Sequence, residues 1–213
     1  MRIALRKTED IKIMMKTENT FLLASKSPRR IELLGGIGVN FDVRPADIDE
    51  SAHVKDTPAE TAEAITLAKV MAAAETDGGE HRFIIAADTL VEAANGEILG
   101  KPTDKADAER MIRLLSGTRH YVHTGIAVAD TSVSPAKIAS AVETTAVIFL
   151  PLDDGEIDAY VNSDEPFDKA GGYGIQERGG LFVKGIEGDY FNVMGLPLCR
   201  LNLLMRENFG VQL

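Results

Sequence analysis

Two hydroxyls and two guanidiniums fall within the six residues Ser25-Lys-Ser-Pro-Arg-Arg30, directly after the apolar run Phe21-Leu-Leu-Ala24. Pro28 presets the φ of a first helical turn, so a helix is expected to start there with Ser27 as its N-cap. A helix N-terminus carries positive charge density and points N–H groups outward, which suits a bound anion. Arg29 and Arg30 add planar forks that pair with phosphate oxygens bidentately, and Ser25 and Ser27 add hydroxyls. The same residues also fit a capped surface helix with solvated arginines. Phosphate chemistry is the better reading because the rest of the chain supplies what such a site lacks.

Asp88, in Ala86-Ala-Asp-Thr89, follows the apolar stretch Phe83-Ile-Ile. A carboxylate at the end of a buried strand is costly unless it is paired, hydrogen-bonded or bound to metal. Ligands also collect at the strand ends of α/β sheets. Asp88 is therefore the Asx residue of a turn leaving the strand, a metal ligand, or a base that deprotonates water. The acidic run Asp47-Ile-Asp-Glu50 has the density of hard oxygen ligands that suits Mg²⁺ or Mn²⁺, and equally fits a solvated loop. Lys69 shares a helical stripe with Ala62, Ile65 and Ala72, where an ammonium either snorkels to solvent or meets a buried anion. Lys101, in Gly100-Lys-Pro102, offers a point charge for phosphate. It is no Walker A lysine, since the glycine spacing is wrong and Pro replaces the Ser/Thr. In Asp168-Lys-Ala-Gly-Gly-Tyr-Gly-Ile-Gln176 the glycines permit close backbone approach, while Tyr173 can stack on a base and Gln176 can hydrogen-bond one. The histidines show no helical i, i+4 pair, which argues against a zinc site.

The elements that must carry these residues alternate early and turn to hairpins later. Helices are expected over Pro58 to about Glu75 with Thr57 as cap, Asp104–Leu115, Asp153–Val161 and Leu196 to about Glu207. Strands are expected at Phe21–Ala24, Phe41–Arg44, Arg82–Ala87, Leu90–Ala93, His120–Ala129, Ala139–Leu150 and Leu181–Ile186. Asn95-Gly96 suits a type I′ hairpin turn. The pattern implies an α/β fold: a mixed sheet with helices on both sides and a cleft between two lobes. A chain of 213 residues with 45% hydrophobic residues builds one substantial core. A net charge of −10 disfavours nucleic acid as a partner but leaves room for a small polyphosphate. A single cysteine, Cys199, fits a reducing compartment, and its apolar surroundings read as core. No apolar run reaches the length of about 18 residues that spans a bilayer. The cytoplasm is the expected location. Residues 1–18 read as a loosely attached leader or an alternative start, leaving 19–213 as one catalytic domain.

Taken in order, several short motifs form a pattern: Leu-Ala-Ser-Lys-Ser-Pro-Arg-Arg, Asp-Ile-Asp-Glu, Leu-Ala-Lys, Ala-Asp-Thr, Leu-Gly-Lys-Pro, Leu-Ser-Gly, Asp-Lys-Ala-Gly-Gly-Tyr-Gly-Ile-Gln and Val-Met-Gly-Leu-Pro-Leu. Together they closely resemble the Maf family of nucleoside triphosphate pyrophosphatases. The resemblance implies an elongated, twisted sheet similar to that of inosine triphosphate pyrophosphatases. It implies cleavage of an NTP to NMP and pyrophosphate with a divalent metal. Asp88 would be the proton acceptor, Arg29, Arg30, Lys69 and Lys101 would handle phosphates with Ser25 and Ser27 beside them, and Glu50 would help hold the metal. Arg30, Thr89 and Gln176 match the marks of the branch acting on dTTP and UTP. This chain differs at Val70 and Glu177, where Ala and Gly are common in the family. The expected partner is a small nucleotide, with no nucleic acid and no membrane; a homodimer is compatible with this reading. The family's association with division and septum formation supplies the alternative, a non-catalytic nucleotide-binding regulator.

Overall fold

The computed structural model describes residues 21–213, so the reading of residues 1–18 as a leader lies outside the described residues. Strand β1 (Phe21–Leu23) buries Leu22 and Leu23 completely because helices cover both of its faces. Helix α1 (Pro28–Gly36) starts where Pro28 predicts. Ser27 occupies the N-cap position, but its side chain makes no capping bond; its carbonyl accepts from Ile31 N–H at 3.2 Å, and its N–H donates to Ser25 Oγ at 3.3 Å. Strand β2 (Phe41–Val43) and then helix α2 (Pro58–Asp77) follow. The Thr57 hydroxyl accepts from Glu60 N–H at 3.2 Å and donates to the Glu60 carboxylate at 2.9 Å, as a cap should.

Strand β3 runs unbroken from Phe83 to Glu92, which corrects the two shorter strands expected there. Asp88 and Thr89 read locally as strand breakers, yet both stay in an antiparallel ladder with β5 (Arg119–Asp130), opposite Gly125 and Thr124. The hairpin to β4 (Ile98–Leu99) also differs from expectation. Gly96 N–H bonds the Ala93 carbonyl at 2.9 Å and Gly96 lies at φ +85°. Ala94 and Asn95 are thus the corner residues and Gly96 the bulge glycine of a three-residue loop, not half of a two-residue I′ turn. Helices α3 (Lys105–Leu115), α4 (Asp154–Val161), α5 (Tyr190–Met194) and α6 (Leu198–Phe209), with strands β6 (Lys137–Phe149) and β7 (Val183–Glu187), complete the order. Cys199 lies exposed on α6, correcting its assignment to the core. It precedes buried Leu201 by two positions, which is more than half a turn away from the apolar stripe of Leu201, Leu204 and Met205.

The sheet order is β2-β1-β3-β5-β6-β7, parallel from β2 to β3 and antiparallel beyond. On one face, Leu23, Ile85, Ala87 and Ile126 pack under α1 and α6; on the other, Leu22, Ile84 and Ala127 pack under Val70 and Ala73 of α2. A third cluster joins Val91, Ile112, Phe149, Ile157 and Tyr173 at the far end, beneath α3 and α4. The mixed α/β sheet with helices on both faces is as expected. One detail of pairing positions everything below. β1 pairs with residues 83–85 of β3 and β4 pairs with 91–92, leaving Ala86–Leu90 without a strand partner on that edge among the described residues.

The seat of α2 depends on Gly125. A Cβ there would lie 2.5 Å from the Ala62 carbonyl oxygen and 2.7 Å from Thr66 Oγ1, which are helix backbone and a buried side chain. Gly125→Ala is expected to lower stability by about 1–3 kcal/mol through overpacking. Thermal unfolding checks this; an unchanged Tm would contradict the close seating of α2 on β5.

Candidate active site

Three groups of side chains meet around the open stretch of β3. In the first, Asp88 points toward α2 and Lys69 points back from it. Lys69 Nζ lies 2.7 Å from Asp88 Oδ1 and 2.7 Å from Glu50 Oε1. The Lys69 and Asp88 side chains are only 13% and 11% exposed, so Lys69 does not snorkel to solvent. Glu50 opens a single 3₁₀ turn (Glu50–His53) that Asp49 caps by accepting from Ser51 N–H at 3.0 Å. The hydroxyl and N–H of Ser51 hold the Asp49 carboxyl below its ordinary value and turn it to local duty. Glu50 is thereby the member of the acidic run that reaches Asp88's partner.

The second group lies on the opposite face of β3, since Thr89 alternates with Asp88. Arg30 donates from Nε to the Gly195 carbonyl at 2.8 Å and from Nη1 to the Ala87 carbonyl at 2.8 Å and Ser25 Oγ at 3.1 Å. Its Nη2 donates to Thr89 Oγ1 at 3.0 Å. The guanidinium thus plugs the unpaired edge of β3 and ties it to β1, α1 and α5. Desolvation lowers its proton affinity, opposed by the nearby Asp88 charge. Ser25 Oγ already accepts from Arg30 and from Ser27 N–H, so its own proton remains to be donated.

The third group borders a cleft of about 520 Å³ between α1 and the loop from Asp164 to Glu177. Arg29 Nη1 spans it to Asp168 Oδ2 at 2.8 Å, and Lys169 Nζ meets Asp168 Oδ1 at 2.7 Å. Burial would raise the Asp168 carboxyl, but the bonds from Lys169 and Arg29 outweigh it and hold it below the usual carboxylate range. Gln176 is exposed at the mouth, its Nε2 at 3.5 Å from Glu32 Oε2. Lys101 is exposed just past β4 and makes no ion pair among the described residues. The glycine-rich loop is fastened beside it, because Gly171 N–H donates to the Gly100 carbonyl at 3.0 Å. Gly171 has φ +71°, and a Cβ on it would press on Val91 at 3.1 Å, so glycine is required there. The open depression of about 430 Å³ beside Lys55, Glu60 and Glu63 contains none of the expected site residues.

Asp77, Glu80 and His81 place ligand atoms within 4.8 Å of one another, but ahead of β3's first residue, at the opposite end from Glu92. Arg44 lies 3.5 Å from Asp77 and 2.7 Å from Glu80, and His81 bridges Asp77 and Asp42 at 2.6 and 3.0 Å. Burial lowers the proton affinity of His81, yet the two carboxylates outweigh it and raise the pKa. Arg44 already supplies positive charge to this cluster.

The model of Maf-like proteins matches residues 20–208 of the chain. The chain belongs to the Maf family. A dTTP/UTP pyrophosphatase of Moorella thermoacetica is 48% identical over 190 residues, which cover 89% of this chain and 95% of that protein. One from Geotalea uraniireducens is 47% identical over 199 residues, covering 93% of this chain and 100% of that protein. Among solved structures, the Staphylococcus aureus Ham1 protein aligns at a TM-score of 0.39 and 18% identity, over 61% of this chain and 71% of that one. At that level the likeness carries no weight for function.

In this Maf chain Tyr173 is not available to stack on a base. It is buried against Phe149 and bonds His120 Nε2 at 2.8 Å, and burial pushes the His120 pKa down to about 4, leaving a neutral ring. Tyr173 belongs to the glycine-rich motif, but its side chain faces the core, which corrects its reading as a platform for a base. Asp168 and Lys169, residues of the same motif that were not site candidates, border the cleft with Arg29. Gly174 makes room for the Lys169 stem, since a Cβ there would stand 2.7 Å from it, a contact that only the folded chain shows. Glu177, one of this chain's departures from the Maf pattern, lies 3.3 Å from Lys169.

Proposed function

We propose that the chain hydrolyses dTTP and UTP to the nucleoside monophosphate and pyrophosphate. The observation that carries the reading is the convergence of Glu50 and Asp88 on Lys69 along the stretch of β3 that lacks a strand partner on one edge among the described residues, in a chain whose relatives bear the name of that activity. Water attacks the α-phosphorus, Asp88 takes its proton, and the bond from that phosphorus to the bridging oxygen of the β-phosphate breaks to release pyrophosphate. Arg29, Lys69 and Lys101 set positive charge against the triphosphate as charge builds on it. The Ser25 proton, with no acceptor among the described residues, donates to a phosphate oxygen, with Ser27 beside it at the helix start.

Glu50 and Asp88 suit Mg²⁺ or Mn²⁺: two hard carboxylate oxygens already approach a single cation, the Lys69 ammonium, at 2.7 Å each. When bound, such an ion supplies charge neutralisation on the triphosphate. Uracil and thymine present an acceptor, donor, acceptor edge. Gln176, at the cleft mouth, supplies an amide for it, and Thr89 and Arg30 are the further residues this reading assigns to the base. The reading places the enzyme in the cytoplasm with its nucleotides; among the described residues no helix is long and apolar enough to cross a membrane. A non-catalytic regulator draws no support from relatives named as pyrophosphatases.

Purified protein with UTP or dTTP and Mg²⁺ is expected to yield UMP or dTMP with pyrophosphate. Orthophosphate with UDP would place the cleavage at the γ-phosphorus and defeat the proposal. CTP is expected to be at least about tenfold poorer in kcat/KM, since its reversed edge leaves a polar group of the site unpaired.

A further inference from the structure

With every contact of 3.0 Å around Arg30 counted as a hydrogen bond, one assignment of donors and acceptors results. The Asn192 carbonyl can only accept, so Thr124, with Oγ1 at 3.0 Å, commits its single proton there. Thr89 and Thr124 face each other across the β3–β5 ladder with Oγ1 atoms 3.0 Å apart. With the Thr124 proton committed, Thr89 must be the donor of that pair. Arg30 Nη2 fills one Thr89 lone pair at 3.0 Å. What Thr89 has left is a lone pair and no proton. Ser25 has the reverse polarity, with two bonds accepted and a proton to give.

We infer that Thr124 is a positioning residue that makes Thr89 a pure acceptor, and that this polarity selects a pyrimidine carrying a proton on N3. The inference rests on the pyrimidine pyrophosphatase reading and adds to it a residue that touches no substrate. Uracil and thymine carry N3–H, which a lone pair welcomes, while Gln176 serves a ring carbonyl through Nε2. Cytosine has a lone pair at N3, and two acceptors would then face each other. Removing the Thr124 hydroxyl frees the Thr89 proton, so Thr89 can donate to cytosine and no longer favours N3–H. The collateral damage is small. Gly195 N–H also donates to the Asn192 carbonyl at 2.9 Å, so that carbonyl keeps a partner. Valine preserves the shape of a side chain that is wholly buried.

The test compares pyrophosphate release from UTP and CTP by the unmodified protein, Thr124→Val and Thr124→Ser. Thr124→Val is expected to raise KM for UTP about tenfold with kcat held within about twofold, shrinking the UTP-to-CTP ratio from at least about tenfold toward unity. Thr124→Ser restores the hydroxyl and is expected to restore the ratio. If Thr124→Val does not fold, Thr124→Ala gives the same comparison. An unmodified protein that discriminates, with a valine or alanine variant that discriminates equally, overturns the role of Thr124. A serine variant that loses the ratio as fully as valine overturns it too, because packing and not polarity would be responsible. An unmodified protein that treats UTP and CTP alike shows a different failure, that of the base reading beneath the proposal.

Discussion

Asp88→Asn is expected to lower turnover of UTP by about 10²-fold or more while leaving the fold in place. That factor is the lower end of what a positioned general base contributes. Asparagine matches aspartate in size and keeps an oxygen for the Lys69 ammonium, which now stands 2.7 Å from Asp88 Oδ1 and keeps Glu50 at 2.7 Å as its second partner. What asparagine lacks is the capacity to accept the proton of an attacking water. The loss therefore belongs in kcat, with a KM close to that of the unmodified protein. A thermal unfolding curve alongside the kinetics separates chemistry from folding. Turnover within a few-fold of normal would reduce Asp88 to a holder of Lys69 and pass the base role to Glu50. Asp49 is the poorer heir, because the Ser51 hydroxyl and N–H already engage its carboxylate.

Arg30→Met is expected to unfold the protein at a Tm lower by about 4 °C or more, before any question of substrate arises. Ala87 and Gly195 are buried, and Arg30 serves both of their carbonyls at 2.8 Å. A buried acceptor left without a partner costs about 1–3 kcal/mol, so the two together cost about 2–6 kcal/mol. For a chain of this length each kcal/mol moves Tm by about 2–4 °C. Ser25 and Thr89 lose a donor as well, so the polarity of both hydroxyls is released along with the fold. Arg30→Lys is expected to recover only part of the loss, since one ammonium with three protons cannot reproduce a planar fork reaching four oxygens on three elements. An Arg30→Met protein as stable as the unmodified one would mean that the guanidinium faces substrate alone.

Much of the scaffold is written in short-range chemistry. Pro28 set the start of α1, Thr57 and Glu60 set that of α2, and the apolar run before Ser25 made a strand covered on both faces, because each depends on neighbours within a turn or two. The candidate residues were likewise visible as types: carboxylates, a striped lysine, paired arginines and a glycine-rich loop. Their local ambiguity was physical. Asp88 next to Thr89 looks like a strand end until β5 supplies the ladder that carries both, and Tyr173 looks like a base platform until the His120 partner 53 residues away turns it inward. Lys69 could have reached water or a carboxylate, and only the crossing of α2 over β3 brings Asp88 and Glu50 to it. The polarity of Thr89 depends on partners 35 and 59 positions distant, and on Thr124's own bond 68 positions further along. Hydrogen bonds are short-ranged and directional, so composition and spacing can name the groups that will take part. Which of them donates to which waits on the strands and helices that bring distant segments within three ångströms of each other.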